Sequence, residues 1–132
     1  ESITILGLAF KPGTDDMRES PAIPIVNYLL KEGANIKAYD PVAQHEAKKI
    51  FGNHQIKYIN DLEKSIDGSK AILLLTSWND FHRVPELIRS KHPQPLFIDG
   101  RRMLDKNLFA NYEGIGLSHD TKTQIKDAFI SK

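Results

Sequence analysis

No cysteine occurs among the 132 residues. That absence removes disulfides, thiolate metal ligands and a thiol nucleophile together, and it fits a reducing, cytoplasmic setting. Long apolar runs are missing as well. The longest, Ala71 to Leu75, is far too short to span a bilayer, and the amino terminus has neither a signal-peptide pattern nor an initiating Met. The expectation is a cytoplasmic piece of a longer protein, with no membrane partner. Charge of one sign is lacking too: 18 Lys and Arg residues against 17 Asp and Glu leave a net charge of +1. Nucleic acid and anionic membranes therefore meet no broad attractive field, and anion binding must come from local placement. The five histidines, His45, His54, His82, His92 and His119, fall on separate segments without an i, i+4 pair, so no metal site is expected.

What is present is alternation. With 40% apolar residues the chain can bury one core without metal or disulfide support. Ile3 to Phe10 reads as a buried strand. Ile23, Val26, Tyr28, Leu29 and Leu30 follow at helical spacing, and Gly33 suits the helix end. Asn35 to Tyr39 predicts a second strand ending in Asp40-Pro41, and Ala43 to Phe51 a second helix. A short strand over Gln55 to Ile59 and a short helix over Asp61 to Ile66 come next. Lys70 to Thr76 is apolar on both faces and belongs at the sheet centre. Val84 to Arg89 reads as a helix, Leu96-Phe97-Ile98 as a fifth strand, Leu104 to Ala110 as a helix, and Tyr112 to Leu117 as an edge strand. These elements predict an α/β, Rossmann-like, doubly wound parallel sheet of five to six strands, with helices on both faces and order 3-2-1-4-5-6. Residues 1–117 form the domain and 118–132 a polar tail, in which Ile125 and Phe129 alone pair at helical spacing.

Ligands of such sheets bind at the carboxyl ends of the strands, at the point where strand order reverses. The loop after the first strand therefore draws attention. Ser20 suits an N-cap and Pro21 the first helical position, so the helix is expected to aim free N–H groups at the space holding Lys11 and Arg18. Arg101, after the fifth strand, and Trp78, after the fourth, open on the same edge. A cation donating to phosphate contributes roughly 1.5 to 3 kcal/mol, so two or three suffice to hold a diphosphate. The competing arrangement is local: the loop also carries Asp15, Asp16 and Glu19, any of which can pair with Lys11 or Arg18. Asp40-Pro41 reads as a structural turn. A plain dinucleotide site is not supported, because Gly7-Leu8-Ala9-Phe10-Lys11-Pro12 places a bulky Phe and a Lys where pyrophosphate approach demands glycines.

Several ordered motifs carry a specific resemblance. They are Gly7-Leu8-Ala9-Phe10-Lys11-Pro12, Thr14-Asp15-Asp16-Met17-Arg18-Glu19-Ser20-Pro21, Tyr39-Asp40-Pro41, Thr76-Ser77-Trp78 with Phe81, and Asp99-Gly100-Arg101. From about Ile3 to Leu117 the chain resembles the C-terminal, nucleotide-sugar-binding domain of the UDP-glucose/GDP-mannose dehydrogenase family, most of all its UDP-glucose branch. The resemblance implies that Phe10, Lys11 and Arg101 contact a UDP-sugar and that Arg18 reaches NAD across an interdomain cleft. It also implies that NAD is bound mainly by an N-terminal domain and that a central domain carries the catalytic Cys. The full-length enzyme would be a homodimer or larger, oxidising UDP-glucose to UDP-glucuronate through a thioester. This chain, with no Cys and no dinucleotide fingerprint, is then expected to be inactive alone. The alternatives are the same domain of a GDP-mannose or UDP-N-acetylhexosamine dehydrogenase, or a non-catalytic nucleotide-binding or interaction module.

Overall fold

Strands and helices alternate along the chain as β1 (Ser2–Leu6), α1 (Ala22–Lys31), β2 (Asn35–Tyr39), α2 (Gln44–Phe51), β3 (Ile56–Tyr58), α3 (Leu62–Ile66), β4 (Ala71–Leu74), α4 (Val84–Ile88), β5 (Leu96–Asp99) and β6 (Tyr112–Gly114). They are seen in a computed structural model that describes residues 2–9, 11–52, 56–116 and 125. The strands form one sheet in the order β3-β2-β1-β4-β5-β6. Every pairing is parallel, with Ile5 beside Ala38 and Leu73, and Leu73 beside Ile98. This is the doubly wound arrangement expected from the sequence, and the order reverses between β1 and β4.

The two-residue period of a strand explains how one sheet serves two cores. Ile3 and Ile5 of β1, Ala71 and Leu73 of β4, and Ile98 of β5 face α1 and α2, where Ala22, Ile25, Val26, Leu29 and Ala47 are buried. Leu6, Ile72, Leu74 and Phe97 face the opposite side, against Leu62 and Ile66 of α3 and Val84 and Ile88 of α4. All four residues of β4 are buried, as a central strand covered on both faces requires. Complete burial of each Leu or Ile contributes about 1.5 to 3 kcal/mol.

Helix ends follow local chemistry. At the end of α1, Gly33 takes φ +83, and the N–H groups of Gly33 and Ala34 donate to the carbonyls of Leu30 and Leu29. This Schellman closure uses the glycine's freedom to enter the left-handed region. The expected helix over Leu104 to Ala110 contracts to a 3₁₀ turn at Lys106–Leu108. The Asp105 side chain accepts the Asn107 N–H at 2.9 Å, competing with the backbone for that donor. A second 3₁₀ turn, Asn79–Arg83, was not expected from the sequence and leads straight into α4. The strand expected to reach Phe10 ends at Leu6, because Gly7 at φ +94 turns the chain out of the ladder. Of the polar tail, only Ile125 lies within the described residues, and it is buried in the core facing α1.

Candidate functional site

The carboxyl edge of the sheet is organised around the exits of β1 and β4. The Gly7 N–H donates to the Tyr39 carbonyl at 2.8 Å. A Cβ at position 7 would lie 2.5 Å from the Thr76 Cβ and 2.6 Å from the Thr76 nitrogen, so only glycine admits this approach. The next two residues, Leu8 and Ala9, are held by side chains. Asp40 Oδ2 accepts their N–H groups at 2.8 and 3.3 Å. Ser20 Oγ donates to the Leu8 carbonyl at 2.6 Å, and Thr76 Oγ1 to the Ala9 carbonyl at 2.7 Å. The other oxygen of Asp40 accepts the Val42 and Ala43 N–H groups, each at 2.8 Å, which caps the approach to α2. The structural turn expected at Asp40-Pro41 is present, and it has a second arm.

Two residues beyond Ala9, Lys11 is exposed and makes no hydrogen bond or ion pair among the described residues. Phe10 lies outside the described residues. Across the edge, Arg101 donates from Nε to the Leu75 carbonyl at 2.8 Å, and burial pushes its pKa below the ordinary arginine value. Its backbone N–H donates to Asp99 Oδ1 at 3.1 Å. The fully buried Asp99 also accepts from the Leu104 N–H at 2.8 Å and the Tyr112 hydroxyl at 3.0 Å. Burial and this carboxylate push the Tyr112 phenol up to about 12. The stem of the Lys11 loop and the Arg101 head thus meet on consecutive residues, Thr76 and Leu75, at the point where strand order reverses.

Arg18 goes elsewhere. Its Nε and Nη2 form a two-pronged pair with Asp16 at 3.0 and 2.9 Å, and its backbone N–H joins the same carboxylate at 2.9 Å. Those contacts hold the Asp16 carboxyl at about 2, below the usual carboxylate range. Arg18 and Asp16 line a cleft of about 550 Å³ with Met17, Ile23, Glu46 and Ile50, on the flank of α2. The local pairing anticipated for the loop is therefore realised for Arg18.

The free N–H groups expected at the start of α1 are not there. The Ala22 N–H donates to Ser20 Oγ at 3.1 Å, the Ile23 N–H to the Ser20 carbonyl at 3.2 Å, and position 24 is a proline without a donor. The start of α1 therefore offers no free N–H group to an anion. Trp78 packs against the α3 and α4 core, and its buried indole N–H has no partner among the described residues. A cavity of about 740 Å³ lined by Ser69, Lys70, Lys91, His92 and Gln94 lies at the amino ends of β4 and β5, away from these groups. There Lys91 is held by Asp67 at 3.1 Å. Among the described residues no three His, Asp or Glu side chains gather as a metal site, and no helix is long and apolar enough to cross a membrane.

The sequence profile of the UDP-glucose/GDP-mannose dehydrogenase family, UDP binding domain, matches residues 4–106. The chain belongs to this family. In its UDP binding domain, the match runs from the middle of β1 to the 3₁₀ turn before β6 and includes Lys11, Arg18, Asp40, Thr76, Asp99 and Arg101. The UDP-glucose 6-dehydrogenase TuaD of Bacillus subtilis is 42% identical over 104 residues, covering 77% of this chain and 22% of that protein. The UDP-glucose 6-dehydrogenase of Rickettsia bellii is 37% identical over 122 residues, covering 92% of this chain and 27% of that protein. Among solved structures, the UDP-glucose dehydrogenase of the archaeon Pyrobaculum islandicum superimposes with a TM-score of 0.71 at 29% identity, covering 89% of this chain and 26% of that one. The chain thus spans about a quarter of the length of the family members it matches.

Proposed function

We propose that this chain is the substrate-binding domain of an NAD-dependent UDP-glucose 6-dehydrogenase, which oxidises UDP-glucose to UDP-glucuronate. The observation that carries the reading is the meeting of the Lys11 loop and Arg101 at Thr76 and Leu75, where open α/β sheets take their ligands. Two cations of different character would then share the diphosphate. Lys11 is an exposed point charge with no hydrogen bond or ion pair among the described residues, while Arg101 is fixed through Nε on the Leu75 carbonyl and brings a planar guanidinium to the same edge. Phe10, next to Lys11, is assigned to the nucleotide sugar with it.

NAD, held chiefly by another domain of the full-length protein, supplies the hydride acceptor when bound. The residues here do not fit a dinucleotide on their own, since Thr76 closes on Gly7 and the glycine turn is missing. This chain's share is Arg18, exposed on the α2 flank and held ready by Asp16. Because the chain has no cysteine, the thioester must form on another domain. The full-length protein is taken to be cytoplasmic and a homodimer or larger.

The test is steady-state kinetics of the full-length enzyme. Lys11→Ala and Arg101→Ala each remove a charge-assisted bond of roughly 1.5 to 3 kcal/mol, so the KM for UDP-glucose should rise by about 10- to 100-fold. Wild-type KM and kcat in both variants would sink the reading. Equal or better turnover of GDP-mannose would move the domain to the other branch of the family.

A further inference from the structure

All four backbone polar groups of Leu8 and Ala9 are taken by side chains, and those side chains come from three separate segments. Asp40 follows β2, Ser20 precedes α1 and Thr76 follows β4. All three are buried, at 2%, 2% and 0% exposure. A loop leaving a strand ordinarily gives its N–H and C=O groups to water and keeps its freedom. Here the chain is clamped for two residues, just ahead of the segment that bears Lys11.

A turn at the end of β2 needs only one carboxylate oxygen. Oδ1 alone serves Val42 and Ala43, and an asparagine would do that work equally well. The second oxygen reaches Leu8 and Ala9, far away in sequence, and only a carboxylate presents acceptors in both directions. Resting on the nucleotide reading above, we infer that Asp40, through Oδ2, and Thr76, through Oγ1, are positioning residues that fix the stem of the Lys11 loop for a nucleoside diphosphate. Neither touches the ligand. Their effect is to order the backbone before binding, so that ligand binding does not have to supply that ordering.

The substitution Asp40→Asn separates the two arms. The amide oxygen can stay on Val42 and Ala43 while its NH₂ meets the Leu8 and Ala9 donors, which releases the loop and spares α2. In the full-length enzyme, with UDP as the probe in calorimetry, Asp40→Asn should weaken binding about tenfold. Hydrogen exchange over residues 8–11 should speed up. Thr76→Val, which strips the donor from the Ala9 carbonyl at constant shape, should act in the same direction, and Thr76→Ser should restore binding. It also carries the test should Asp40→Asn fail to fold.

The deciding measurement is the double-mutant cycle with Lys11→Ala. If Asp40 acts by aiming Lys11, its replacement costs less than about twofold once Lys11 has gone. An equal cost in both backgrounds, or faster exchange with unchanged UDP affinity, overturns the inference and leaves the nucleotide reading standing. A Lys11→Ala enzyme that binds UDP as wild type overturns the nucleotide reading and the inference together.

Discussion

Arg18 and Arg101 are both exposed residues, yet their guanidinium groups are held by different partners. The Arg18 side chain is 89% exposed and tied to a carboxylate two residues away, whereas Arg101 is partly sunk against a strand-end carbonyl. Exposed pairs of the first kind are weak and screened by salt. Asp16 nevertheless should titrate at about 2 in a carboxyl-resolved NMR experiment. Since its pKa is depressed on folding, the pair's contribution is complete above the ordinary carboxylate range and vanishes as pH falls toward about 2. Arg18→Ala should raise the Asp16 titration toward the usual range without reaching it, because the backbone N–H of residue 18 still donates to the carboxylate, and an unmoved titration would show the side-chain pair to be absent in solution. Gly7 offers a different single-residue test. Its φ of +94 and the 2.5 Å approach to Thr76 leave no room for a methyl group, so Gly7→Ala should cost roughly 2 to 4 kcal/mol in urea unfolding. Lys11 and Arg101 are legible as candidates from sequence, because a cation just past a strand's end is a local pattern. The second arm of Asp40 is not legible, because its partners sit 31 and 32 positions away and only the sheet order brings them together.

At the scale of elements, legibility follows burial. β4 is readable because both faces are covered, which makes Ala71 to Leu74 a continuous apolar run. Leu73→Ala should therefore cost about 2 to 5 kcal/mol, measured as a drop in the urea midpoint with little change in slope, since the cavity would open between β1, β5 and α1. The start of α1 shows the opposite case. Ser20 and Pro21 look like an anion-binding helix end, yet Ser20 spends its hydroxyl on Leu8 and Ala22. Pro24 was the available signal that the first turn has one donor fewer to offer. The segment after Leu104 misleads because Asp105 can serve a helix or a turn, and its contact with Asn107 chooses the turn.

For the whole molecule, the alternation of elements was enough to give the sheet order, because parallel strands joined by helices have few ways to pack. The chain spans about a quarter of the length of its relatives and has no cysteine, so on the reading proposed above the catalytic step belongs to another domain. Incubated alone with UDP-glucose and NAD, the chain should form no NADH. Absorbance growth at the nicotinamide band would show that this chain alone holds NAD against the sugar alcohol. The clamp on Leu8 and Ala9 also divides the long β1–α1 loop into a stem that the sheet owns and a crest that it does not. The crest includes Gly13, which has open space where a side chain would stand. On the reading proposed above, substitutions, insertions or grafted loops placed around Gly13 would alter the surface offered to a ligand while the scaffold beneath kept its register.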